Sequence, residues 1–138
     1  MKVVLDTGVI VSAMINKKGS AAKIFSLMFD GDIKILYENR LLFEYLEVLS
    51  RKEFGFNFDL INDTMHFVRH EGIFNEAVFN SLDFPAIKFH DEADQKFYEV
   101  YKAGEADYLI TGNRKHFPEE SGIIIPGEFI KIYEKHKS

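Results

Sequence analysis

Five short apolar runs, each set off from the next by turn residues and helix-like sequence, constrain this chain more than any other feature. They are Lys2 to Leu5, Ile33 to Tyr37, Ala86 to Phe89, Tyr108 to Thr111 and Ile123 to Ile125. A strand with one face in water alternates apolar and polar side chains. These runs do not alternate, so they read as strands buried on both faces. Between them, apolar residues recur with helical spacing. Val9 to Met14 reads as a short helix, and Ser20 as the cap of a helix running to Phe29. From Asn39, the positions Leu41, Leu42, Tyr45, Leu46, Val48 and Leu49 share helical phase, with Arg51-Lys52 suited to the negative end of the helix dipole. After a turn-rich break at Phe54 to Phe58, Asp59 to His70 forms another helix. Asp94 to Ala103 follows the same rule, with Phe97, Val100 and Tyr101 on one face. The stretch 73–84 is ambiguous, and a short helix over Glu76 to Leu82 is favoured. Periodicity leaves the type of Phe129 to Tyr133 undecided.

Strands alternating with helices predict an α/β fold with a mainly parallel central sheet of about five strands, covered on both faces. No linker or internal repeat divides residues 1–138, so a single domain is expected. At 46% hydrophobic residues, including 14 phenylalanines, the chain can build a substantial core. Cysteine is absent, which excludes a disulfide framework and thiolate chemistry. The opening MKVVLDTGVIVSAM begins like a secretory leader, but Asp6 interrupts the apolar run and no clean cleavage pattern follows. No stretch reaches the roughly 18 apolar residues of a membrane span. A cytoplasmic location without a membrane partner is the expectation.

The net charge of −5 argues against a protein that simply coats a nucleic-acid backbone with lysine and arginine. It leaves room for a phosphodiesterase whose bound cations neutralise carboxylates and attract phosphate. In parallel α/β folds, sites lie at the carboxyl ends of the strands. Asp6 and Asn113 both fall at such ends. Each polar residue also has an ordinary reading. Asp6 can cap the next helix, Glu44 can be solvated on its helix, and Asp91 and Glu92 suit the positive end of a helix dipole. Asp94 stands one turn into that helix, on the side carrying Phe97 and Tyr101, which places its carboxylate toward the sheet edge.

Their order says more than any one of them. A strand ending in aspartate, a glutamate in a mid-chain helix, and an aspartate opening a helix before strand-Thr-Gly-polar together resemble the PIN domain family. The likeness rests on VVLDTGVIVSAM, ENRLLFEYLEVLSR and DEADQKFYEVYKAGEADYLITGNRKHF, and it covers essentially the entire chain. It is most like the branch of toxin components of toxin–antitoxin systems (VapC-like). The resemblance implies a three-layer α/β/α nuclease with an acidic pocket for Mg²⁺ or Mn²⁺, acting on RNA. It also implies an antitoxin as partner and pairing as a homodimer. The family's acids fall on Asp6, Glu44 and Asp94, and its threonine on Thr111. Its last acid, usually aspartate in Thr-Gly-Asp, is Asn113 here.

Chemistry assigns roles to these positions. Hard cations prefer oxygen ligands and keep several waters. Asp6 and Asp94 are the expected ligands, Glu44 a ligand or a group orienting water, and Asn113 a neutral carbonyl acceptor without negative charge. Lys17 and Lys18 in one loop, and Arg114 and Lys115 after the Thr-Gly-Asn turn, are expected phosphate contacts beside Thr111. Arg40 and Arg51-Lys52 are weaker candidates. His116 reads as a surface or phosphate-side residue. Two functions follow: a metal-dependent endoribonuclease, or a catalytically weakened RNA- or protein-binding domain marked by Asn113.

Overall fold

A computed structural model describes residues 1–76 and 92–137. The fold is three-layered, α/β/α. Its strands are β1 (Lys2–Leu5), β2 (Lys34–Tyr37), β3 (Ile73–Phe74), β4 (Tyr108–Ile110) and β5 (Ile123–Ile124). The helices are α1 (Thr7–Ile15), α2 (Ser20–Phe29), α3 (Asn39–Leu49), α4 (Phe58–Glu71), α5 (Glu92–Ala103) and α6 (Pro126–Lys137). A 3-10 turn occupies Arg114–His116.

The strands form one sheet in the order β3-β2-β1-β4-β5, and every pairing is parallel. In register, Val3 faces both Ile35 of β2 and Tyr108 of β4. Val3, Val4 and Leu5 are fully buried, as are Leu109 and Ile110. That burial is why these runs carry no alternation. Helix α5 packs on β1, β2 and β4, α4 packs on β2, and α2 touches both α1 and α6.

The order of the strands fixes the position of the site. From β1 the chain builds outward through β2 to β3, then crosses back to place β4 on the other side of β1. The connections leaving β1 and β4 therefore diverge, and a crevice opens at their carboxyl ends. Asp6 follows β1 there, and Thr111 follows β4.

Several boundaries differ from expectation. Helix α1 begins at Thr7, earlier than Val9. Ser20 is the first residue of α2, not its cap. Gly19 stands at the cap position and no side chain bonds there. Asn57 caps α4, accepting from the amides of Asp59 and Leu60 at 2.8 and 3.3 Å. The undecided Phe129 to Tyr133 lies inside α6, whose first residue, Pro126, has a φ preset for a first helical turn. Strand β3 falls at the start of the ambiguous stretch 73–84, ahead of the expected helix over Glu76 to Leu82. It is only two residues long and exposed, so it leaves no periodic signal. Most of that favoured helix, the expected strand Ala86 to Phe89, and Asp91 lie outside the described residues.

Candidate active site

Asp6 follows β1 and occupies the cap position of α1; its carboxylate makes no well-formed capping bond, although the nearby Thr7 and Gly8 amides favour its charged form. The carboxylate turns to the neighbouring strand end. Thr111 Oγ1 donates to Asp6 Oδ2 at 2.7 Å. The two backbones are locked in the same place, with Asp6 N donating to the Ile110 carbonyl at 3.0 Å. Thr111 is fully buried and Asp6 only 8% exposed. Among the described residues no lysine, arginine or histidine pairs with Asp6. Burial pushes its pKa up, the Thr111 hydrogen bond opposes this, and the nearby charge of Glu44 raises it further.

Helix α3 brings Glu44 to this strand end through its neighbour in sequence. Tyr45 is fully buried, and its hydroxyl donates to the Leu5 carbonyl at 2.5 Å. Burial, followed by the charges of Asp6 and Glu44, raises the Tyr45 pKa well above its ordinary value. The phenol therefore stays a neutral donor. With α3 pinned at Tyr45, Glu44 accepts a short hydrogen bond from Thr7 Oγ1 and pairs with Lys96 of α5 at 2.6 Å.

Asp94 enters from the start of α5. Its Oδ2 lies 3.3 Å from His116 Nδ1, so the 3-10 turn after β4 reaches across to α5. Asn113 is exposed. Its amide donates to Thr111 Oγ1 at 3.0 Å, and its side chain makes no capping bond. Thr111 Oγ1 thus accepts from Asn113 while donating to Asp6, which couples the Thr-Gly-Asn turn to the buried acid.

The remaining sequence candidates separate clearly. Lys17, Lys18 and Lys115 are exposed. Arg114 is in an ion pair with Glu128 at 2.8 Å. Arg40 bridges the buried Glu38 and Glu99, at 2.8 Å to each, and Arg51 pairs with Glu47 on its own helix. These two arginines are tied to structural carboxylates. Sequence reasoning gave no part to Lys96, Thr7 or the Tyr45 hydroxyl. Thr7 had a signal, since it follows Asp6 directly. Lys96 had none, because its partner lies on a different helix.

The donors suit a hard cation, being carboxylates, a hydroxyl and an amide carbonyl. The buried Asp6 charge, with no basic partner among the described residues, is what a cation would compensate. In this side-chain arrangement, no three His, Asp or Glu side chains among the described residues converge closely enough to hold a metal ion. Glu44 and Asp94 are instead turned to Lys96 and His116. The apolar groove between α3 and α4, lined by Leu42, Phe43, Leu46 and Met65, contains none of these acids.

A parallel β3-β2-β1-β4-β5 sheet with acids at its switch point defines a small three-layer α/β/α domain. The family model for the PIN domain matches residues 2–115, and the chain belongs to that family. A search of curated proteins finds no match. No helix among the described residues is long and apolar enough to cross a membrane.

Proposed function

We propose that the protein is a metal-dependent endoribonuclease that hydrolyses RNA phosphodiester bonds at the β1–β4 crevice. The observation that carries this reading is the buried Asp6 carboxylate, held by Thr111 and raised in pKa by burial and by Glu44. A charge so placed is costly unless a cation or proton answers it. Asp6 and Asp94 would hold Mg²⁺ or Mn²⁺, with Asn113 offering a neutral carbonyl. When bound, the ion would lower the pKa of a water and offset charge on the phosphate and leaving oxygen. Thr111 fixes the orientation of Asp6 through its hydroxyl. Glu44, itself oriented by Thr7 and Lys96, can accept a proton from water. Lys17, Lys18 and Lys115 would draw RNA toward the crevice.

RNA cleavage with Mg²⁺ or Mn²⁺ tests the reading directly. Asp6→Asn and Asp94→Asn are each expected to lower the rate by at least about a hundredfold, since even outer-shell changes reach that scale. Activity in both variants equal to that of the wild type would overturn it.

The second reading is a weakened site that binds RNA or a protein without efficient turnover. Asn113 favours it, because an amide contributes no negative charge. Asn113→Asp should tighten Mn²⁺ binding and speed cleavage if missing charge is the limit. No change in either would remove the reason for this reading. Within the family, the likeness of the three motif stretches supports the toxin branch, acting as a homodimer held by a cognate antitoxin. Arrest of cell growth on expression, relieved by Asp6→Asn, would support that role.

A further inference from the structure

Helix α4 carries two histidines that the crevice does not use. His66 and His70 stand four residues apart, so one turn of helix sets them one above the other on the same face. Their ring centroids are 4.0 Å apart and the ring planes are inclined by only 35°. Both residues are exposed. An imidazole nitrogen binds a divalent transition metal at about 2.0 Å, so two nitrogens on one ion need to lie only roughly 3 Å apart. Rings already this close reach that separation by rotation about their own side-chain bonds, which is fast at an exposed site.

The surroundings of the pair favour a cation. The two rings line a surface concavity together with Asp63, Phe67, Glu71 and Phe29 at the end of α2. Phe29 and Phe67 meet edge to face, with centroids 4.7 Å apart, and form its apolar wall. Asp63 precedes His66 by three residues and His70 by seven, and so shares their face of the helix. Among the described residues no three His, Asp or Glu side chains converge as ligands. Asp63 and Glu71 therefore supply negative charge beside the pair, while the protein's own ligands are the two imidazoles and water fills the remaining positions.

Donor type selects the ion. Imidazole suits Cu²⁺, Ni²⁺ and Zn²⁺, whereas Mg²⁺ and Mn²⁺ prefer oxygen. We propose that His66 and His70 form a bidentate site for a divalent transition metal of this class, binding Cu²⁺ more tightly than Ni²⁺ or Zn²⁺. The site is distinct from the acids at the strand ends, and it does not depend on the nuclease reading. It joins two successive turns of α4, the helix that packs on β2, so an ion held there stabilises the folded chain.

Calorimetric titration with Cu²⁺, Ni²⁺ and Mn²⁺, and electron paramagnetic resonance of the Cu²⁺ form, test the proposal. The proteins are wild type, His66→Gln, His70→Gln and the His66→Gln/Asn62→His double variant. The double variant keeps the number of histidines but sets the two eight residues apart, about 12 Å along the helix axis, too far for one ion. Wild type should bind Cu²⁺ most tightly of the three ions, with two nitrogens coupled to the copper spin. Each single variant and the double variant should bind Cu²⁺ and Ni²⁺ at least about tenfold more weakly, because the second imidazole no longer acts within the same molecule on a captured ion. None of the three should change Mn²⁺ binding. Ni²⁺ should raise the thermal midpoint of the wild type more than that of any variant. Equal Cu²⁺ affinity in the wild type and both single variants would overturn the proposal. So would a double variant that binds Cu²⁺ as tightly as the wild type, since spacing would then be irrelevant.

Discussion

Tyr45 is the residue on which the position of Glu44 depends. Its hydroxyl satisfies the Leu5 carbonyl inside the core. Tyr45→Phe leaves that carbonyl without its donor, and chemical denaturation should show a loss of about 1–2 kcal/mol. Asp6 carries the opposite liability. Its pKa is raised in the folded protein, so the folded state holds the proton more tightly than the unfolded state does. The contribution of the protonated group is therefore complete below the ordinary aspartate value and is lost as pH rises through the higher folded value. In chelator at neutral pH, Asp6→Asn should accordingly melt above the wild type, with the difference vanishing in acid. A variant melting lower at neutral pH would show that the carboxylate is stabilising after all. Asp6 and Thr111 were legible in the sequence because strand ends can be read from apolar runs. The Tyr45 hydroxyl and Lys96 were not, since their partners belong to distant parts of the chain and leave no local periodicity.

Among the elements, α3 and α5 are joined at the edge of the crevice by Arg40. It pairs with Glu38, which caps α3 through the Arg40 amide at 2.8 Å, and with Glu99 of α5. Both carboxylates are buried. Removing the guanidinium leaves two buried acids to be neutralised, so Arg40→Met should cost about 2 kcal/mol in denaturant unfolding, discounted for the exposed half of the arginine. Gly72, between α4 and β3, is constrained by space. A Cβ there would lie 2.4 Å from the Val68 carbonyl oxygen and 3.0 Å from that of Ile35. Backbone cannot swing aside as a flexible side chain can, and Gly72→Ala should destabilise by about 3 kcal/mol. The long elements were readable because they carry extended apolar patterns. Strand β3 was not, as it owes its place to pairing with Leu36 and Tyr37 rather than to its own exposed side chains. Helix α6 had a clear starting signal in Pro126, but its short apolar stretch fits either period.

For the molecule as a whole, a net charge of −5 restricts how RNA can be held. If Lys17, Lys18 and Lys115 are the phosphate contacts, the logarithm of RNA affinity should fall with the logarithm of salt at a slope of about −2. Replacing all three with alanine should flatten that dependence. The fold class was open to sequence reasoning because it follows from apolar runs summed along the chain. The separate pairings of Glu44 and Asp94 were not, because they depend on how α5 lies against α3 and the turn after β4. The pairing of β1 with β4 carries a further consequence for biosynthesis. Asp6 is made early, whereas the Thr111 hydroxyl that orients it comes from the other side of a long crossover. Contacts so distant in sequence form only after the intervening chain is available. A ribosome halted anywhere before β4 therefore releases a chain that holds Asp6 but lacks its orienting partner, and the crevice is assembled only once translation has passed Thr111.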